Sequence, residues 1–419
     1  MTKVFPIRQG VACQLKWTWN TVRLAEATSA CCHRVSPISI DVNNFDNFHN
    51  DPTWVSHRRM QLAGEFPQQG CQYCERIEQA GGLSDRLLHQ SEPDISPPEL
   101  DIDPLAVVVT PRVLEVFINN VCNMSCIYCD ESNSSKIQQE NVKFGYAVPG
   151  TDYPVIPIVP KVPEHKDLVN KFFGYLDKNY HSLTRLHVLG GEPFYQREFD
   201  RLLDFIEQHP NRDLRFTVIS NLMVSTDKIE QFVDRMYAVL ARRGLKRVDI
   251  TASIDCWGAE QEYVRYGLDL EQWQRNFELL SRHKWLHLTV NNTITSLTIK
   301  TLPDLLKYIN HIRQQRPVHH SFGLVDFRPY LHPGIFGAGY FDKDFQQILD
   351  CMPNNTDIDI KNKEYMTGLL KSLNSYSVDC DQQRTLGLYL DEIDRRRNLN
   401  WRDVFPWLNK HLKELDHVV

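Results

Sequence analysis

No stretch of this chain is long and apolar enough to cross a bilayer, and its first residues, Met-Thr-Lys-Val-Phe-Pro-Ile-Arg-Gln-Gly, hold no continuous apolar run of the kind that opens a secretory signal. The expectation is a cytoplasmic protein that makes no use of a membrane. A basic excess is lacking too: 47 Lys and Arg face 53 Asp and Glu, a net charge of −6, so no nucleic-acid partner is expected. Clusters such as Arg242-Arg243 and Arg395-Arg396-Arg397 are no larger than a solvated helix face. Internal repeats, low-complexity tracts and Ser-His-Asp, Walker-type or His-Glu-x-x-His patterns are all missing.

What is there is a chain of 419 residues, enough for two or three domains or one barrel with additions, and eleven cysteines. In a reducing compartment so many thiols argue for metal or redox chemistry rather than a disulfide framework. Cys256, Cys351 and Cys380 stand alone and read as small buried hydrophobes. The other eight precede residue 130, and the chain is organised around the last three of them.

Residues 113–130 run Val-Leu-Glu-Val-Phe-Ile-Asn-Asn-Val-Cys-Asn-Met-Ser-Cys-Ile-Tyr-Cys-Asp. The apolar stretch ending at Ile118 reads as a buried strand that empties into a loop carrying Cys122, Cys126 and Cys129. An all-cysteine site that is purely structural closes with four ligands, whereas three leave one coordination position for a substrate or cofactor, which points to catalysis. A zinc knuckle completed by a distant His or Cys is the alternative. The spacing, with Tyr128 before the last cysteine, resembles the cluster loop of radical S-adenosylmethionine (SAM) enzymes. That resemblance implies a [4Fe-4S] cluster on Cys122, Cys126 and Cys129 whose fourth iron is chelated by SAM.

Further motifs fit the same resemblance. Gly190-Gly191-Glu192-Pro193 follows the strand-like Leu186-His-Val-Leu189, and two glycines at a strand's C-terminal end let the backbone approach a ligand. The turn is similar to the family's Gly-Gly-Glu-Pro motif, which contacts the methionine amino group of SAM. Ser220, Ser253 and Asp255 sit at strand ends where the family contacts SAM, although each is also placed to cap the next helix. Arg265 resembles the arginine that some members use to fork the cofactor's carboxylate, and Asn291 is a candidate for its ribose. Asp326 and Arg328, at the end of the last strand, read as an ion pair at the barrel rim.

The first 95 residues carry Cys13, Cys31-Cys32-His33 and Cys71-Gln-Tyr-Cys74. A Cys-x-x-Cys turn with Cys13 and one of Cys31 or Cys32 makes up a four-thiolate site, with structural zinc as the alternative. The stretch resembles the twitch and SPASM-like auxiliary-cluster modules of the superfamily, here N-terminal where most follow the barrel. That resemblance implies a second [4Fe-4S] cluster on Cys13, Cys31, Cys71 and Cys74, with Cys31 preferred because the modules place a ligand at the end of a short strand.

Residues 88–112 are polar and Pro-rich, and the linker is placed at 96–112. Beyond it, strands at 113–118, 186–189, 214–219, 247–254, 286–294 and 322–327 alternate with amphipathic helices at 167–179, 197–208, 226–243, 269–282 and 300–314. The expected fold is α/β: a partial (β/α)6 TIM-like barrel over 113–335, with the small N-terminal auxiliary-cluster module over 1–95 and a C-terminal helical extension over 336–419. A long connection at 131–165 adjoins the cluster loop.

By resemblance, such an enzyme cleaves SAM reductively to a 5′-deoxyadenosyl radical that abstracts a substrate hydrogen, with electrons from a donor such as flavodoxin or ferredoxin. A second cluster with no open iron suits relay of an electron away from the substrate, hence an oxidative crosslink, thioether or dehydrogenation. Family members with these modules mostly modify ribosomally made peptides, so a peptide substrate is expected. The alternatives are a radical SAM dehydrogenase or rearrangement enzyme for a small molecule such as a sugar, and a non-catalytic zinc-binding adaptor.

Overall fold

A computed structural model describes residues 13–32, 37–67, 70–79, 84, 86–87, 108–147, 163–325 and 327–416. His33, Asp326, residues 88–107 of the polar, Pro-rich stretch and residues 148–162 of the long connection lie outside them. The strands among the described residues are β1 (Trp19–Arg23), β2 (Thr28–Ala30), β3 (Ile38–Ser39), β4 (Val113–Phe117), β5 (Ser125–Cys126), β6 (Arg185–Leu189), β7 (Asn211–Ser220), β8 (Leu245–Ser253), β9 (Arg265–Tyr266), β10 (His287–Ile294) and β11 (His319–Leu324).

From β4 onward the chain alternates strand and helix as its periodicity requires. In the helix Arg197–Gln208 the buried residues are Phe199, Leu202, Leu203, Phe205 and Ile206, an apolar stripe at three- and four-residue spacing. The helix Leu270–Ser281 starts where the Asp269 carboxylate accepts the Gln272 amide at 2.8 Å. Helices at His165–Asn179, Thr226–Ala241 and Leu302–Arg313 complete the alternation. This is an α/β fold whose strands are largely parallel, consistent with a TIM-like partial barrel.

The chain divides into two compact units, and the division falls within β7 and within β8. The first takes residues 1–120, 159–218 and 234–248. In it β7, β6 and β4 pair in parallel, and β1 adds to β4, also in parallel, before β2 and β3 extend the edge antiparallel. Residues 19–23, read from the sequence as part of a separate module, therefore share a sheet with the first expected barrel strand. The strand-like alternation of Trp17, Trp19 and Val22 in the sequence becomes strand only in part. Leu15–Thr18 forms one helical turn, fastened where Arg58 Nε donates to the Lys16 carbonyl at 2.8 Å, and the strand begins only at Trp19.

The second unit takes residues 121–158, 219–233 and 249–419. Here β8, β10 and β11 pair in parallel and the short β5 and β9 pair antiparallel. The last strand lies three residues earlier than the apolar run Phe322–Phe327 suggests. Its register opposes His319 to Thr289, and the polar-looking His320 is buried beside Asn292, 3.4 Å between Nδ1 and Oδ1. The C-terminal residues are helical at Asp342–Cys351, Asp357–Leu373, Cys380–Arg397, Trp401–Val404 and Pro406–Asp416. No helix among the described residues is long and apolar enough to cross a membrane.

Candidate functional site

In the second unit, Cys122, Cys126 and Cys129 are partly buried and free of disulfides. Their loop is held by several independent contacts. Ser125 and Cys126 pair with Tyr266 and Arg265, and the Ile127 amide donates to the Val264 carbonyl at 2.9 Å. Gly267, at φ +101°, lies so close that a Cβ would meet Asn123 O at 3.1 Å. At the end of β7, Asn221 Nδ2 donates to Asn123 Oδ1 at 3.0 Å and lies 4.0 Å from Cys122 Sγ, while Asn123 Nδ2 returns a bond to Met223 O at 2.8 Å. Arg328 Nη2 donates to Cys129 O at 2.6 Å, and Tyr389 OH to Ile127 O at 2.5 Å.

Three of the expected cofactor residues turn out to hold one another. Asp255 is fully buried and accepts from Tyr128 OH at 2.5 Å, from Arg265 Nε at 2.8 Å, from Arg265 Nη2 at 2.9 Å and from the Thr293 amide at 2.8 Å. The guanidinium fork assigned from sequence to a cofactor carboxylate is thus engaged by a carboxylate of the chain itself. Burial alone would ease the proton off Arg265, but the Asp255 charge outweighs it and holds the guanidinium well above its ordinary value. Burial likewise pushes up the Tyr128 phenol and the Cys126 and Cys129 thiols, with neighbouring Asp130 and the other two cysteines adding to the effect at Cys129. These thiols stay protonated at neutral pH until a cation displaces the proton.

Of the remaining candidates here, the Ser220 hydroxyl accepts the Leu222 amide at 2.9 Å and so caps its own turn. Ser253 and Asn291 are register partners on β8 and β10 and present side chains to the same face. Asn292 points the other way and is committed to Ile254 O at 2.6 Å.

In the first unit, the turn after β6 has Gly190 at φ +87° and Gly191 at φ +58°. A Cβ on Gly190 would stand 2.6 Å from Phe117 Cδ1, so only glycine fits. Glu192 is fully buried, its carboxylate accepting the Phe194 amide at 3.3 Å, and Pro193 opens the short turn Pro193–Tyr195. Gln196 Nε2 braces the turn by donating to Gly190 O at 2.7 Å and Asn119 O at 3.3 Å.

The same unit gathers the N-terminal cysteines. Cys13, Cys31, Cys32 and Cys71 are buried, Cys74 partly so, and none is in a disulfide. Cys13, Cys31 and Cys32 belong to one packed cluster with Leu15, Trp19, Trp54 and Val113. Lys16 Nζ lies 3.1 Å from Cys31 Sγ. Burial works to raise the Cys31 thiol, but a hydrogen bond with Cys32 and the Lys16 charge draw it down to about 6, whereas burial pushes Cys13 up to about 12. Among the described residues no group of three or more Cys, His, Asp and Glu side chains forms a site for a single metal ion.

Several residues of these sites escaped the sequence reading. Asn123 and Asn221 lie inside or beside motifs already singled out, so a polar residue flanking a cysteine or a strand end was the available signal. Lys16 and Tyr389 carried none, and Arg328 reads from the sequence only as part of an ion pair at the barrel rim, not as a partner of the cysteine loop. They are distant in sequence from what they touch, Tyr389 on a C-terminal helix that also fixes Arg397 to Glu140 at 2.9 Å. The ion pair expected of Arg328 involves Asp326, outside the described residues; the bonds seen go to Cys129 O and Tyr330 OH.

Residues 116–312 match the family model described as Radical SAM superfamily. No curated protein matches the chain.

Proposed function

From the premise that the chain carries a Radical SAM superfamily domain over residues 116–312, we propose that it is a radical SAM enzyme whose second, N-terminal iron–sulfur cluster supports an oxidative modification of a ribosomally made peptide. The observation that carries the reading is the loop of three thiols outside any disulfide, Cys122, Cys126 and Cys129, pinned through Tyr128, Asp255, Arg265 and Asn221. Three thiols and no fourth on the loop match a cluster that keeps one iron for SAM. When bound, that pair supplies one-electron cleavage of the SAM sulfonium to a 5′-deoxyadenosyl radical.

The chain's own residues bind and orient. Cys122, Cys126 and Cys129 lose their protons to ligate, and the Asp255–Arg265 pair keeps the loop backbone in place. Gly190 and Gly191, with Glu192 and Pro193, offer a backbone edge that a ligand can approach, while Ser220, Ser253 and Asn291 supply hydrogen-bonding groups at strand ends. Buried Met124, Ile127 and Tyr128 help keep water from the loop.

Cys13, Cys71, Cys74 and one of Cys31 or Cys32 would hold the second cluster. Cluster cysteines sit on different irons, so they need not converge on one point as the ligands of a lone zinc must. The peptide substrate and a flavodoxin- or ferredoxin-type donor rest on the resemblance of the cysteine-rich segment to auxiliary-cluster modules.

Anaerobic purification and reconstitution, followed by iron and sulfide counts, tests this. About eight irons per chain are expected, falling to about four in the Cys122→Ala/Cys126→Ala/Cys129→Ala variant, with 5′-deoxyadenosine formed from SAM and dithionite only by the wild type. Roughly four irons falling to none would remove the second cluster. Zinc alone would overturn the enzymatic reading.

A further inference from the structure

Lys16 is 2% exposed, yet it belongs to a residue type that seldom leaves water without a counter-charge. Among the described residues no carboxylate lies within ion-pairing distance of it. Its ammonium faces thiols instead: Cys31 Sγ at 3.1 Å, with His57 Nδ1 at 3.3 Å and the Trp54 ring 5.4 Å away. Arg58, wholly buried, brings a second cation to the same place, fixed through its Nε to the carbonyl of Lys16. Arg58 is satisfied by the Lys16 and His49 carbonyls and the Asn50 amide oxygen, but the Lys16 ammonium is set against a cysteine sulfur and an imidazole, an arrangement that net negative charge on the cysteines would balance.

We infer that Lys16 is the buried counter-cation of the group held by Cys13, Cys71, Cys74 and Cys31 or Cys32, and that it sets that group's reduction potential. This rests on the reading of the N-terminal cysteines as an iron–sulfur site. Four thiolates leave such a cluster anionic in both oxidation states, and the electron gained on reduction adds one more negative charge. A fixed positive charge a few ångströms away, in a medium of low dielectric, therefore stabilises the reduced form more than the oxidised one. A hydrogen bond from Lys16 to the Cys31 sulfur acts in the same direction. Lys16 does not touch substrate; it is a positioning and tuning residue.

The test uses the full chain in the Cys122→Ala/Cys126→Ala/Cys129→Ala background, where only the N-terminal cluster remains. Iron is counted, and the cluster is titrated with dithionite, one electron per cluster, its reduced form followed by electron paramagnetic resonance. Lys16→Met is expected to keep about four irons and to move the midpoint to more negative potential, while Lys16→Arg, which keeps the charge, stays near the parent. Loss of iron in Lys16→Met but not in Lys16→Arg supports the inference as well, because the charge is then needed to hold the anion. An unmoved midpoint in an iron-replete Lys16→Met chain overturns it, and so does equal iron loss in both variants, which would mark a role of shape rather than charge. A parent that binds no iron fails earlier, at the reading of the cysteines themselves.

Discussion

Asp255 shows how much one side chain can hold. It accepts from the Tyr128 phenol, both prongs of Arg265 and the Thr293 amide, and with Arg265 it forms an ion pair almost closed to water. Breaking such a pair from one side leaves the other charge buried alone, at about 3–5 kcal/mol. Asp255→Asn is therefore expected to lower unfolding stability by about that much. Removing the partner as well relieves the stranded charge, so in Asp255→Asn/Arg265→Met the two effects should fall short of their sum by about 1–3 kcal/mol. Urea unfolding of the two single variants and the double variant gives the coupling directly, and simple additivity would show that the pair does not act as a unit.

At the scale of elements, the cysteine loop is held by a strand pair only two residues long on each side, β5 and β9. So short a ladder needs help, and Gly267 provides it by packing backbone against backbone next to Asn123 and Met124. Gly267→Ala places a Cβ 3.1 Å from a carbonyl oxygen at φ +101°, a strain of about 1–3 kcal/mol with no flexible side chain to yield. The reconstituted variant is expected to lose the irons of this loop, about four, and to keep those of the N-terminal cysteines. Gly174→Ala, in the middle of the helix His165–Asn179 with nothing within 4 Å of the added methyl, is the control and should match or slightly exceed the parent in thermal stability. Equal iron in both variants would remove the clamp from the account. The same elements show what the sequence made legible. Regular alternation of apolar strands and striped helices placed β6, β7, β8 and β10 and the helices between them, because each is specified by a local period. β5 and β9 were invisible, since two residues carry no period. The joining of β1 to β4 was hidden for another reason: edge pairing of a strand ninety-odd residues upstream is a tertiary choice with no local signature. Arg265 was found as a guanidinium near the site, but its partner Asp255 was assigned to the same cofactor, because sequence order does not say which two side chains meet.

Across the molecule, buried ionisable groups set how it responds to acid. His320 has its ring buried against Phe322, and burial, with the Arg313 charge behind it, lowers its affinity for a proton from an ordinary 6.5 to about 3. Once unfolded, the imidazole takes up a proton below about pH 6.5. The unfolded chain thus binds more protons than the native one between about pH 6.5 and 3, so stability is full above that window and is lost as pH falls through it. Asp359 acts lower down. Burial opposes its charge, but hydrogen bonds from Arg313, at 2.7 Å, and Thr356 outweigh it and hold the carboxyl below its ordinary value. Its contribution is present above about pH 3.9 and disappears only beneath that. The two groups share Arg313, and the Asp359 charge itself acts weakly against the lowering at His320, but their windows differ. His320→Gln should flatten the fall in urea midpoint between pH 6.5 and about 4 and leave the steeper loss beneath it, whereas Asp359→Asn should do the reverse. If both variants trace curves parallel to the parent throughout, neither group governs the acid response, and the stability of this chain at low pH is set by its other carboxylates.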